Sequence, residues 1–210
     1  AIRQGLRTFD TTFFQAPGRM NVYSEHPFKV LFDYGHNAHA VAVMADLALR
    51  LDVTGRRIVV LAGPGDRRDE DLVAIANAVA GRFDHYICRR DDGLRGRDGD
   101  EVPGILSKAL LAAGVPEDAI SIIPDEQLAI EAALQMGRTG DLLLVFADAL
   151  VRSWKQIIKF RPEGASVRTE HAPAAPAAIT EPAFDEASFA DLGDLVRDER
   201  GVRFSRESDD

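Results

Sequence analysis

The segment Phe28-Lys29-Val30-Leu31-Phe32-Asp33-Tyr34-Gly35-His36-Asn37 decides how the rest of the chain is read. Its first half is almost continuously apolar, as a strand covered on both faces tends to be. Its second half is polar, contains a glycine, and runs into a stretch where Val41, Met44, Ala45, Ala48 and Leu49 mark one face at helical spacing. A strand, a short polar loop and an amphipathic helix in that order are the first half of a crossover between parallel strands, and Asn37 is suited to cap the helix.

The unit recurs along the chain. Further strands are expected at Arg57–Ala62, Phe83–Cys88, Ala119–Ile123 and Leu142–Ala147, with helices at about 38–52, 68–81, 101–114, 125–137 and 148–159. Asp100 and Asp125 are suited to cap two of them. This alternation implies an α/β fold, a doubly wound, mostly parallel sheet with helices on both faces, in the Rossmann-like manner.

Outside that region the pattern changes. Ile2, Leu6 and Phe9 suggest the end of a helix, so residues 1–16 read as the end of a preceding domain and a linker, after which Pro17 leads into a strand-like Met20–Tyr23. The first residue is Ala, and the expectation is a chain that begins inside a longer polypeptide. The compact domain is expected over 17–161. Residues 162–183 contain Pro162, Pro173, Pro176 and Pro182 in an Ala-rich stretch and read as a linker. Residues 184–210 read as an acidic tail, in which Phe184, Ala187, Phe189, Leu192, Leu195 and Val196 have the spacing of one short amphipathic helix before a frayed polar end.

Composition narrows the function. With 46% hydrophobic and 28% charged residues in 210, the chain has an ordinary globular balance. Its net charge of -9 argues against nucleic acid and anionic membrane as partners, although residues 161–210 carry 12 acids and 6 bases against 22 and 19 in residues 1–160. The low charge of the domain therefore leaves room for a local anion site. Cys88 is the single cysteine, which excludes an intrachain disulfide framework. No run approaches the roughly 18 apolar residues of a membrane span, no signal-like segment opens the chain, and a cytoplasmic location is expected.

In an open parallel sheet, ligands bind beyond the carboxyl ends of the strands. Three loops fall there. Asp33-Tyr34-Gly35-His36-Asn37 suits a nucleotide, a carboxylate accepting ribose hydroxyls while an imidazole stacks on a base; the alternative is that Asp33 and Asn37 only cap the helix and His36 is solvated. A zinc site from His36 and His39 lacks further ligands. Gly63-Pro64-Gly65 permits close backbone approach to an anion, but Arg68 stands where a dinucleotide fingerprint needs its third glycine. Asp66-Arg67-Arg68-Asp69 could hold a zwitterion through carboxylate and guanidinium together, or could begin a solvated helix. The third loop, Arg89 to Arg97, mixes acids, arginines and glycines. The only lysines are Lys29, Lys108, Lys155 and Lys159, none preceded by Gly, so this sequence contains no P-loop of the Gly-Lys-Ser/Thr kind.

Together these residues carry a resemblance. Pro17-Gly18-Arg19-Met20-Asn21 followed by Asp33-Tyr34-Gly35-His36-Asn37 resembles the start of the C-terminal domain of the Mur ligases and folylpolyglutamate synthetases. Gly65-Asp66-Arg67-Arg68-Asp69-Glu70-Asp71 and Asp91-Asp92-Gly93-Leu94-Arg95-Gly96-Arg97 sharpen it to the cyanophycin synthetase family, and Gly140-Asp141 to Ala147 with Arg152-Ser153-Trp154 is similar to that family's last strand and helix. Residues 1–160 are covered. Ala38 replaces a frequent Pro and Gly35 a frequent Ala.

The resemblance implies an ATP-dependent ligase that phosphorylates a carboxylate to an acyl phosphate and joins it to an amine, here arginine added to the side chains of poly-aspartate (cyanophycin). It implies that Arg19, Asp33, His36 and Asn37 face ATP, and that Asp66, Arg67, Arg68, Asp69, Asp92, Arg95 and Arg97 face the amino acid. It places Mg2+ and the ATP phosphates mainly on upstream ATP-grasp and P-loop domains, so this chain alone is expected to be inactive. Competing readings are another Mur-type ligase domain, a stand-alone nucleotide or amino-acid binding module, and a purely structural domain; a homo-oligomer is left open.

Overall fold

A computed structural model describes residues 12–162, 195–198 and 201–204. Its elements in order are β1 (Asn21–Tyr23), β2 (Lys29–Asp33), α1 (Ala38–Arg50), β3 (Arg57–Leu61), α2 (Asp69–Val79), β4 (His85–Cys88), α3 (Glu101–Ala112), a 3-10 turn at Glu117–Ala119, β5 (Ile120–Ile122), α4 (Glu126–Met136), β6 (Leu142–Phe146) and α5 (Leu150–Lys159). Strands β7 (Leu195–Asp198) and β8 (Gly201–Phe204) form a separate antiparallel pair, Leu195 opposite Phe204. The chain divides into two units, the first ending at Ala165.

The sheet order is β1-β2-β6-β3-β4-β5. All neighbours are parallel except β1, which runs antiparallel to β2 with Val22 opposite Leu31. The doubly wound, mostly parallel α/β architecture is the one expected. Its core lies on both faces, because alternate residues of a strand point to opposite sides. Val59 and Leu61 of β3 and Leu144 and Phe146 of β6 pack with α1, α2 and α3, while Ile58, Val60, Leu143 and Val145 pack with α4 and α5. That is why these strands read as unbroken apolar runs.

The caps show where sequence and structure differ. Asn37 Oδ1 accepts the amide of Ala40 at 2.9 Å, and Asp125 Oδ1 that of Leu128 at 2.9 Å. Asp100 precedes α3 without a side-chain cap bond. The third residue of that helix is Pro103, which has no N–H to offer such an acceptor.

Two segment expectations need adjustment. Phe13, assigned to the opening linker, is buried in the α4–α5 side of the core and stacks on Trp154 with centroids 5.0 Å apart. The helix expected after 184 falls outside the described residues as far as 194. Leu195 and Val196, placed on its face, lie instead in β7. The helix expected around Ile2, Leu6 and Phe9 also lies outside the described residues.

Candidate functional site

The loops after β2, β3, β4 and β6 all leave the carboxyl edge of the sheet. The first is clasped to the turn before β1. Asp33, 8% exposed, accepts Gly35 N through Oδ1 at 2.7 Å and Met20 N through Oδ2 at 2.9 Å. Asn21, fully buried, closes the same turn by accepting Gly18 N at 2.8 Å and donating to Ala16 O at 2.9 Å. Gly18 has φ +66, and a Cβ there would strike Leu150. Met20 has φ 51, in the left-handed region that side chains avoid.

The clasp presents Arg19. Its guanidinium is exposed and lies 5.7 Å from the centre of the Tyr34 ring. Tyr34 in turn lies 5.1 Å from the His36 ring. Arg19, Asp33 and His36 are thus brought to one face, whereas the Asn37 carbonyl oxygen is occupied by the cap.

The second and third loops interlock. Arg97 donates to Gly65 O at 2.8 Å, Arg67 O at 2.6 Å, Asp69 Oδ1 at 2.8 Å and Glu101 Oε1 at 2.6 Å. Arg95 pairs with Asp66 at 3.0 Å and Asp91 at 3.5 Å, and Arg68 pairs with Asp71 at 3.0 Å. Asp92 is held by Arg152 of α5 at 2.6 Å. Arg67 is exposed, and its guanidinium makes no hydrogen bond or ion pair among the described residues. The seven residues expected to face an amino acid therefore gather in one loop pair. The close backbone approach that Gly65 permits is taken by the Leu94 carbonyl, so this glycine serves loop packing and not an anion.

Beneath the loops lies a centre that the sequence reading did not single out. Arg89 and Glu126 are both completely buried and pair at 3.1 Å. Arg89 also donates to Phe146 O at 2.8 and 3.2 Å, Arg90 O at 2.6 Å and Asp148 Oδ2 at 3.0 Å. Glu126 accepts from Asp148 N at 2.8 Å, Ala149 N at 3.2 Å and Ser153 Oγ at 2.5 Å. This hub ties the ends of β4 and β6 to the first turns of α4 and α5. A signal for it existed. Arg89 has the parity of Ile87, so it points to the face that α4 and α5 cover.

Asp91 and Asp148 meet above the hub. Burial pushes the Asp91 carboxyl up to about 7, and its hydrogen bond to Asp148 and that group's charge push the same way against Arg95 and Arg89. Asp148 is raised by burial but more strongly lowered by the hydrogen bond from Asp91 and by Arg89, and is held below its usual range. Cys88, at the end of β4, is buried and its thiol is pushed up to about 12 by that burial, so it is a core residue and no nucleophile. Among the described residues, no group of three or more His, Cys, Asp or Glu is arranged to hold a metal ion, His36 and His39 included. No helix among them is long and apolar enough to cross a membrane.

A parallel α/β domain whose carboxyl-edge loops carry these clustered charges defines a class, and comparison with known proteins names it. The family model for the Mur ligase, glutamate ligase domain matches residues 18–149. The chain belongs to that family. It is 37% identical over 159 residues, 76% of its length, to the cyanophycin synthetase of Geminocystis herdmanii, and 36% identical over 163 residues, 78% of its length, to that of Synechocystis. It spans 18% of the length of each. It is also 33% identical over 134 residues, 61% of its length and 24% of the relative's, to the UDP-N-acetylmuramyl-tripeptide synthetase of Treponema pallidum.

Among solved structures, the folylpolyglutamate synthase/dihydrofolate synthase of Yersinia pestis, complexed with AMPPNP and a Mn ion, superposes with a TM-score of 0.54 at 23% identity, covering 75% of this chain and 33% of that one. That likeness concerns the fold. The chain is a domain of a ligase family.

Proposed function

We propose that this chain is the closing domain of an ATP-dependent amide ligase of the cyanophycin synthetase kind, joining arginine to side-chain carboxylates of poly-aspartate. The observation that carries the reading is backbone strain in two loops. Among the described residues the only non-glycine positions with positive φ are Met20, beside Arg19, and Arg95. Such conformations persist where surrounding structure enforces them, and they concentrate at functional sites. Here Asp33 holds the first, and the Asp66 and Asp91 carboxylates flank the second.

The nucleotide fits the first loop. Each Asp33 oxygen accepts one backbone N–H and keeps a lone pair for a ribose hydroxyl, while Arg19 has no carboxylate partner among the described residues and is available to phosphate. When bound, ATP supplies the phosphoryl group that activates the acceptor carboxylate. The part of this chain is to bind and orient the two reactants. Arg67 and Arg95 offer guanidinium forks to the amino acid's carboxylate, and Asp66, Asp69 and Asp92 offer carboxylates to its cationic groups. On the family resemblance, the divalent ion would be held mainly by ATP-grasp and P-loop domains of the full-length gene product.

The test is phosphate release by the full-length gene product with ATP, an aspartate oligomer and one amino acid at a time. Release that requires both the oligomer and arginine, and that falls in Arg19→Ala and Arg95→Ala, supports the reading. Release driven by another amino acid without arginine overturns the substrate, and turnover by this chain alone overturns its role as one part of a larger site.

A further inference from the structure

The inner end of the third loop carries more negative than positive charge. Around the buried guanidinium of Arg89 lie Glu126 from α4, Asp148 from the β6–α5 connection and Asp91 from the loop itself. Arg89 is spent on the first two at 3.1 and 3.0 Å. Asp91, whose side chain is 10% exposed, lies beside Asp148, and the neighbouring negative charge disfavours its own.

The cation that reaches Asp91 from outside is Arg95, at 3.5 Å, and Asp66 competes for it at 3.0 Å. The other nearby cations are committed or turned elsewhere. Arg152 on α5 holds Asp92 at 2.6 Å and approaches Glu126 at 3.9 Å, and Arg97 is bound to Asp69 and Glu101. Arg90 lines the same small cavity as Asp91 but makes no ion pair with it. The excess negative charge at Asp91 is therefore balanced either by Arg95 or by a proton.

We propose that Asp91 is a positioning residue for Arg95, and that the Asp91–Asp148 pair exchanges this cation for a proton when Arg95 turns to the carboxylate of an incoming amino acid. This rests on the reading that Arg95 faces that amino acid. While Arg95 stays over Asp91, it lowers the share of time the pair is protonated. When Arg95 leaves, the share rises, and the added proton comes from solvent. Binding of a carboxylate at Arg95 and proton uptake at Asp91 are then linked and reciprocal. The strained backbone of Arg95, at φ 49, marks the point where the loop has two partners to choose between.

Two measurements test it. The first needs no ligand and uses carbon-13 NMR of this chain labelled in aspartate. One aspartate carboxyl is expected to titrate near neutral pH, to vanish in Asp91→Asn, and to move to higher pH in Arg95→Gln; Asp148→Asn, which removes the neighbouring negative charge, brings Asp91 down. Titration of every aspartate below about pH 5, or an unmoved midpoint in Arg95→Gln, overturns the proposal. The second is calorimetry of arginine binding to the full-length gene product in two buffers of different ionisation enthalpy at about pH 7.5. Net proton uptake in the wild type that is lost in Asp91→Asn is expected. Binding without uptake overturns the exchange and leaves the amino-acid reading intact, whereas absence of arginine binding beside a positive NMR result overturns that reading, and with it the exchange.

Discussion

The two ends of the parallel sheet treat a buried aspartate in opposite ways. At the amino end, Asp141 accepts the amides of Arg56 at 2.7 Å and Arg138 at 3.0 Å, and pairs with the Arg56 guanidinium at 2.7 Å. Its charge is settled locally, and it fixes the turn that starts β6. At the carboxyl end, Asp91 has one cation at 3.5 Å that is shared with Asp66, and its carboxyl sits far above its usual range. The end proposed to receive a charged ligand has its charges incompletely matched, and the end that fixes a turn has them matched.

That contrast can be broken by substitution. The largest expected loss is in the hub under the loops: Glu126→Ala strands the buried Arg89 charge and should cost about 3–5 kcal/mol in urea unfolding. An effect below about 1 kcal/mol would show that water reaches this centre. Next comes Asp141→Ala, which leaves its backbone donors and Arg56 without their acceptor and should cost about 1–3 kcal/mol. Nucleotide and arginine binding by the full-length gene product should be unchanged in that variant, as calorimetry would reveal.

A smaller effect sharpens the difference through pH. Because folding raises the Asp91 carboxyl from 3.8 to about 7, the folded chain binds more protons than the unfolded one across that window. Stability from this group is fully present below its unfolded value and is lost as pH rises through about 7. Asp148, held low, works in the opposite sense as pH falls. Asp91→Asn should therefore reduce the change in unfolding free energy across that pH window by on the order of 1–2 kcal/mol after solvent screening. Identical slopes for both proteins would contradict the assignment. The smallest change in stability belongs to Arg19→Ala and Arg67→Ala, within about 0.5 kcal/mol of wild type. Both arginines are exposed and form no ion pair among the described residues, and their loss should appear in ligand binding by calorimetry.

Much of this was legible in residue order. The apolar runs from Lys29 to Asp33 and Leu142 to Phe146 announce strands buried on both faces, and the loops that follow carry the charges. What could not be read was pairing. That Arg97 fastens its loop to the backbone carbonyls of Gly65 and Arg67 depends on β3 lying beside β4, and that Arg152 reaches Asp92 from 60 residues away depends on β6 inserting beside β3. In the sequence Glu126 is only the residue after the cap Asp125, and its role appears once Arg89 is placed on the same face of the sheet. The tail misled for a different reason. Leu195 and Val196 fit helical spacing and a strand equally well, as short apolar runs do.

On the proposed function, nucleotide and amino acid meet this chain along the carboxyl edge, on separate loops. Backbone amide NMR of the chain titrated with a non-hydrolysable ATP analogue and then with arginine tests it directly. The account predicts that the nucleotide shifts residues 18–20 and 33–37, and that arginine shifts residues 66–69 and 91–97. Shifts centred on Arg56 and Asp141 at the opposite edge, or arginine acting on the 33–37 loop, would contradict it.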